Sequence, residues 1–247
     1  MTRYRKRFYK FQNDNTRQTA AELVPLIIDL IHPRSVVDVG CGTGIWLNEF
    51  MNRGVGDVIG IDGPWVQQEM LQIPPSQFYR RDLSLPFELG RKFDLVLCLE
   101  VAEHLPARSA RLFIRSLTSL ADTVVFSAAI PFQGGTNHLN EQWPEYWQNL
   151  FAGNGYLTFD VIRSKIWRNA NVKNIYAQNI FVYASRRSLA EHQNLSEDNL
   201  LHEQPLSMVH PGLWEDHVNP RNASLKYIAK GLPYAVMNAI MKVMSSM

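Results

Sequence analysis

Two short stretches of the chain carry side chains that move protons or bind metal ions. The first, EVAEHLP, contains Glu100, Glu103 and His104, and the second, GGTNHLNEQWP, contains His138 and Glu141. An imidazole accepts a proton near neutral pH, and a neighbouring carboxylate can orient it. Both groups are also ligands for divalent cations. These residue types predict acid–base chemistry or a metal site, provided that the fold brings the two stretches together.

A third stretch, VVDVGCGTG, predicts a turn that binds a ligand through its backbone. Asp38 is followed by glycines at alternate positions, Gly40, Gly42 and Gly44. Glycine adopts positive φ and lets the chain approach a ligand closely. The spacing differs from the G-x-G-x-x-G pattern that seats a pyrophosphate. Asp62 and Asp82 end the next two apolar runs, and three acids at one sheet edge predict a nucleoside-binding crevice.

These motifs need a sheet whose strands all end at one edge. Apolar, β-branched runs predict strands at 35–40, 57–62, 77–82, 93–99 and 123–128. Helical spacing predicts helices at 18–31, 43–53 and 107–121. This alternation predicts an α/β fold with a doubly wound, mostly parallel sheet. Two further runs, 156–162 and 178–184, predict a final pair with an antiparallel strand and a polar segment between them.

The motifs together resemble the class I S-adenosylmethionine-dependent methyltransferases over residues 16–185. The resemblance implies a seven-stranded Rossmann-like sheet and S-adenosylmethionine as cofactor. The glycine loop with Asp38 would hold the amino-acid part of the cofactor, and Asp62 the ribose. Asp82 would bind the adenine amino group beside Leu83. Residues 93–106 resemble the fourth-strand motif, at whose end the acceptor and the reactive methyl group meet, and Leu99 within it would contact the cofactor.

A narrower resemblance concerns the acceptor. SVVDVGCGTGIWL, GIDGPWV, LCLEVAEHLP and FSAAIPFQGGTNHLNEQWPEYW resemble bacterial methyltransferases associated with polysaccharide and glycan assembly. This resemblance implies O-methylation of a sugar hydroxyl on a glycan or a glycosylated small molecule. The alternatives are a small natural product or quinone-like lipid, an RNA ribose 2′-hydroxyl, and a non-catalytic S-adenosylmethionine-binding partner protein.

The E-x-x-E-H array resembles the metal site of small-RNA 3′-terminal ribose methyltransferases and of quinone-pathway O-methyltransferases. That resemblance implies Mg²⁺ or Mn²⁺ on four side chains, Glu100, Glu103, His104 and His138. In the alternative, His104 or His138 is a general base without a metal, and Glu103 braces the loop. A third interpretation makes His138 a hydrogen-bonded loop residue without a chemical role.

The stretch NEQWPEYW predicts the start of a helix. Asn140 would cap it, and Pro144 suits its first turn. Trp143, Tyr146 and Trp147 at helical spacing are typical of core residues, although one of them could stack on a sugar. Trp46 and Trp65, beside the glycine loop and after Asp62, either pack in the core or cover the cofactor.

Composition limits the class of protein. The 247 residues carry a net charge of +2, which gives no electrostatic support for binding nucleic acid. Cys41 and Cys98 are two isolated thiols beside predicted strands, and the basic N-terminus is not followed by the apolar segment of a secretory signal. We therefore expect a cytoplasmic protein.

The predicted domain core is flanked by less regular segments. Residues 1–15 form a basic segment, either solvated or an anchor for phosphate, membrane or RNA. Residues 186–220 are polar and predict a linker or extension. Residues 221–247 predict an amphipathic helix, kinked near Gly231 and Pro233, that covers the core, pairs with a second subunit or lies on a membrane at its periphery.

Overall fold

The computed structural model describes residues 6–190, 195 and 207–218. Its seven strands are β1 (Ser35–Val39), β2 (Asp57–Asp62), β3 (Phe78–Arg80), β4 (Leu95–Leu99), β5 (Thr123–Ser127), β6 (Tyr156–Phe159) and β7 (Phe181–Ser185). They form one sheet in the order β3-β2-β1-β4-β5-β7-β6. The pairs from β3 to β5 are parallel, and β7 is antiparallel to both neighbours. The predicted α/β class, the doubly wound sheet and the late antiparallel strand are confirmed.

Helices connect the strands and cover the sheet. They are α1 (Lys6–Ile31), α2 (Ile45–Asn52), α3 (Ala110–Leu120), α4 (Pro144–Ala152), α5 (Arg163–Ile166), α6 (Asn174–Asn179) and α7 (Pro211–Val218). The helix α7 belongs to a second compact unit that begins at Val209. None of the helices among the described residues is long and apolar enough to cross a membrane.

The core lies on both faces of the sheet because successive strand residues point to opposite sides. On one face, α1 and α2 cover residues such as Val36, Val58 and Leu97. On the other, α3 and α4 cover residues such as Val37, Val96 and Phe126. With both faces covered, the central strands are buried along their whole length, which explains why they read as continuous apolar runs.

Some predicted boundaries differ from the structure. The helix predicted at 18–31 begins at Lys6, so it continues into the segment that the sequence assigned to a basic terminus. The segment between β6 and β7, predicted as polar, contains the short helices α5 and α6. Of the predicted extension at 186–220, part is the helix α7. The amphipathic helix predicted at 221–247 lies outside the described residues.

Candidate active site

The glycine loop leaves β1 at the carboxyl edge of the sheet and is fastened to β2. The backbone N–H groups of Gly40 and Cys41 donate to the Ile61 carbonyl at 2.8 and 3.1 Å. All three glycines have positive φ, 85° at Gly40, 54° at Gly42 and 83° at Gly44. Since residues with a Cβ rarely adopt this conformation, the alternating glycines are what allows the loop to form.

The same glycines control how closely the loop is approached. A Cβ on Gly40 would lie 2.3 Å from Val101 Cγ2, so the loop packs directly against the segment after β4. A Cβ on Gly42 would meet nothing within 4 Å. Gly40 therefore lets the loop after β1 pack against the loop after β4. Gly42 leaves its stretch of backbone uncovered, so that a ligand could approach it.

Asp62 ends β2 and is bonded to the glycine loop. Its carboxylate accepts from the backbone N–H of Gly42 at 2.7 Å and from that of Gly63 at 2.6 Å. Burial raises the pKa of Asp62, and these donors, with the Trp65 side chain, oppose the rise. The Trp65 ring packs against Gly63, where a Cβ would lie 2.2 Å from it. Asp62 and the Trp65 ring are thus both held beside the glycine loop.

Asp38 is a buried acid with an unsatisfied oxygen. Its Oδ2 has no hydrogen-bond partner among the residues that the structure describes. Burial and the nearby Asp62 charge raise its pKa well above the usual value. A ligand that brings a hydrogen-bond donor or a positive charge would satisfy this oxygen. Asp38 is therefore suited to bind such a group.

The predicted adenine site is more open. Asp82 follows β3 at the same edge but is exposed, and its Oδ1 accepts from Ser84 N and Oγ at 2.9 and 2.7 Å. These bonds lower its pKa. Leu83 beside it and Leu99 at the end of β4 are buried. The edge of the sheet thus places all the predicted cofactor residues on neighbouring strand ends.

Glu100 follows β4 in a strained backbone conformation. Its φ is 55°, and its N–H donates to the Ser127 carbonyl and hydroxyl oxygens at 3.0 and 3.1 Å. Its carboxylate accepts from Gln133 Nε2 at 2.9 Å and from Asn179 Nδ2 at 3.0 Å. Burial raises the pKa of Glu100, and these donors oppose the rise. The side chain is therefore committed to an amide clamp.

Glu103 is fully buried and joins the loops that follow β4 and β5. Its carbonyl oxygen accepts from Leu139 N at 2.7 Å and from Asn140 N at 3.0 Å. Burial and the Glu100 charge raise the pKa of its carboxyl well above the usual value, which favours the neutral acid. These two bonds to the Glu103 carbonyl hold the stretch that contains His138 against the stretch that contains Glu100 and His104.

His138 lies at the junction of these loops. Its ring is 4.8 Å from that of His104, nearly perpendicular to it. Its Nδ1 lies 2.8 Å from Glu141 Oε1. Because a carboxylate only accepts, Nδ1 donates, and in the neutral imidazole Nε2 then carries the lone pair. A Cβ on Gly135 would lie 2.2 Å from Nε2, so this glycine makes room for the ring.

Glu141 organises the whole loop. Besides His138, it accepts from the backbone N–H of Phe132 and of Gly134, each at 2.9 Å. Three donors on one carboxylate fix the imidazole relative to the loop backbone. A carboxylate that orients a histidine whose second nitrogen is available can support proton abstraction.

The predicted metal set is brought together only in part. Ligand atoms of Glu103, His104 and His138 lie within 4.8 Å of one another. Glu100 lies outside this group, and its two oxygens accept from Gln133 and Asn179. The structure thus brings three of the four predicted ligands together, and the metal site stays a prediction.

The structure corrects one further prediction, the helix cap, and confirms the core placement of two tryptophans. The helix α4 has Trp143 as its N-terminal cap, so Asn140 is not the cap. Trp46 and Trp147 are buried; Trp46 packs edge-on against Tyr176. The sequence reasoning missed the clamp residues Gln133 and Asn179 entirely. Two amides far apart in the chain give no motif that could have identified them.

Comparisons with known proteins concern the whole domain rather than its single residues. A family model described as a methyltransferase domain matches residues 3–191. The ubiquinone biosynthesis O-methyltransferase of Hahella chejuensis is 38% identical over 98 residues, which are 34% of this chain and 41% of that protein. The chain spans about two fifths of the length of the curated relatives it matches.

Two solved structures share the fold. CalS10, an amino pentose methyltransferase from Micromonospora echinaspora, superposes with a TM-score of 0.55 at 17% identity, covering 73% of this chain and 97% of that one. DesVI of Streptomyces venezuelae gives 0.53 at 16% identity, covering 72% and 95%. At such identities the likeness establishes the fold alone.

Proposed function

The chain belongs to the methyltransferase-domain family, and on that premise we propose that it transfers the methyl group of S-adenosylmethionine to a hydroxyl oxygen of a small acceptor. The observation that carries this proposal is the pair formed by His138 Nδ1 and Glu141 Oε1 at 2.8 Å, held where the loops after β4 and β5 meet. An alkyl transfer to a hydroxyl needs the acceptor aligned and its proton removed.

The residues at the ends of β1 and β2 fit the cofactor. The unsatisfied Asp38 Oδ2 suits its ammonium group, the open face of Gly42 admits its amino-acid part, and Asp62 suits the ribose hydroxyls. When bound, S-adenosylmethionine supplies an activated methyl group on a sulfonium. Asp82 and Leu83 are the proposed adenine contacts, and Trp65 the cover beside them.

The residues after β4 and β5 would act on the acceptor. His138 Nε2 accepts the hydroxyl proton while Glu141 holds the ring and stabilises its protonated form. His104, whose ring faces His138, is proposed to contact the acceptor. Glu103, a buried acid favoured in its neutral form, fixes both loops through its backbone and lies beside the two histidines.

We propose a quinone-like or phenolic hydroxyl as the acceptor group. Named relatives at 31–38% identity are ubiquinone biosynthesis O-methyltransferases, which act on oxygen by their names. A phenolic hydroxyl also loses its proton more readily than an alcohol, which suits a single histidine base. The glycan acceptor expected from the sequence has no such support and is the second candidate.

The group Glu103, His104 and His138 also fits a second arrangement, in which these side chains hold a divalent cation. Two imidazoles with one carboxylate suit Mn²⁺ better than Mg²⁺, which prefers oxygen ligands. We prefer the metal-free base because His138 and Glu141 already form an oriented imidazole, and because both oxygens of Glu100 accept from amide donors. We therefore expect turnover to survive EDTA. If EDTA abolished activity and Mn²⁺ restored it, the metal arrangement would replace the metal-free base in this proposal.

The experiment is an assay of S-adenosylhomocysteine release with catechols, reduced quinones and sugars as acceptors. We expect turnover with a catechol or a reduced quinone and none with an Asp62→Ala control, which removes the proposed ribose contact. Turnover with sugars alone would select the second candidate. Tight cofactor binding without turnover on any acceptor would contradict the proposed activity.

A further inference from the structure

The loop that carries His138 presents large apolar side chains to solvent. Phe132 is 83% exposed, Leu139 60% and Trp143 40%. All three lie in residues 131–143, which we call the apolar loop. Exposed single apolar residues are common, but here three lie on the one connection that carries a proposed catalytic residue.

The exposure of Phe132 is imposed by the fold. Its φ is 69°, a left-handed conformation that is unfavourable for an aromatic residue. The backbone is held there by the bond from its N–H to Glu141 Oε2. Strain of this kind persists only where surrounding bonds enforce it, and it concentrates at functional segments. The strain at Phe132 therefore presents its ring outward.

The apolar loop also lacks charge on its outer side. Pro131 to Asn140 contain no Asp, Glu, Lys or Arg. The carboxylate of Glu141 is turned inward onto Phe132, Gly134 and His138. A surface without formal charge can enter the interfacial region of a bilayer without desolvating an ion, and tryptophan is favoured at that depth.

We propose that the apolar loop inserts into the surface of a lipid bilayer, and that the acceptor reaches His138 from the lipid. The second half of this inference rests on the proposed function; the first does not. Three side chains can bury far less than the roughly 1,200 Å² of a stable protein interface, so a protein partner is a poor fit to this loop. Burying Phe132 and Leu139 in lipid favours binding by roughly tenfold or more each, which is enough for reversible attachment.

The test is flotation of the full chain with phosphatidylcholine vesicles. The variant carries Phe132→Ser and Leu139→Ser, which leave the backbone bond to Glu141 in place. The matched control is Leu85→Ser, because Leu85 is also 60% exposed but lies outside the apolar loop. Urea denaturation checks that each variant is folded.

We expect the wild type and Leu85→Ser to float with the vesicles and the double variant to lose at least tenfold in partition. Equal flotation of the double variant would overturn the inference, as would equal loss in the control or a wild type that stays in the aqueous phase. Flotation requires no turnover, and turnover is measured on a water-soluble catechol. Failure of the membrane contact is thereby distinguished from failure of the proposed activity.

Discussion

The two sides of the candidate site are built differently. On the cofactor side, strain is placed in glycines, and the key bonds join neighbouring strand ends: Gly42 donates to Asp62, and Gly40 to Ile61. On the acceptor side, positive φ occurs at Gly134 and Gly135 but also at Glu100, Phe132 and Asn137, which are not glycines. A local motif can specify the first arrangement, whereas the second depends on bonds between distant segments. Substitutions should therefore separate cofactor binding from methyl transfer.

The largest expected effect is that of Gly40→Ala, which tests whether the two sides share a contact. The new Cβ would lie 2.3 Å from Val101 Cγ2 at a φ of 85°. We expect loss of measurable cofactor binding and a fall of about 3 kcal/mol in the free energy of unfolding. Calorimetry and urea denaturation measure these effects.

Gly54→Ala is the matched control, since Gly54 has a φ of 92° and open space where a Cβ would be. It should cost only about 1 kcal/mol, the contribution of the left-handed backbone alone. Equal effects of the two substitutions would show that the contact with Val101 is unimportant.

His138→Ala should break the acceptor side alone. Removal of the proposed base should lower kcat by about 10² to 10³. The dissociation constant of S-adenosylmethionine should stay within about twofold, because no cofactor residue is touched. His32→Asn, at an exposed left-handed position, is the control and should change neither quantity. A normal kcat in His138→Ala would remove this residue from the mechanism.

Glu141→Gln should also separate methyl transfer from cofactor binding. The amide keeps the size of the side chain but removes the charge that orients and stabilises the protonated imidazole. We expect kcat to fall by about tenfold with the protein folded and cofactor binding intact. A wild-type rate across the pH range would mean that Glu141 only shapes the loop.

Asp38→Asn should give the smallest effect, on stability. Burial raises the pKa of Asp38, so the folded chain keeps a proton that the unfolded chain releases above about pH 4. The ligand-free wild type therefore loses stability as pH rises from about 4 through the raised pKa. The variant should be more stable by about 1 kcal/mol near neutral pH and lack this slope. A less stable variant in neutral thermal melts would contradict this account of Asp38.

The same difference between local motifs and bonds between distant segments explains which features could be predicted from the sequence. The central strands β4 and β5 were recognisable because strands covered on both faces are largely apolar, a reason that does not extend to the exposed edge strand β3. The glycines and acids of the cofactor side were recognisable because their spacing is local. The amide partners of Glu100 could not be predicted because Gln133 and Asn179 lie 33 and 79 residues away in the chain. Asn140 was misassigned as a cap because the helix begins only at Pro144, and the Asn140 side-chain oxygen accepts from Gln142 Nε2 instead.

The most direct test is a calorimetric titration of S-adenosylmethionine into the wild type and into the double variant His138→Ala, Glu141→Gln. Because the proposed cofactor residues lie on the other side of the site, we predict that both bind with dissociation constants equal within about twofold. Absence of binding by the wild type near millimolar cofactor, or a tenfold loss of affinity in the double variant, would contradict the account.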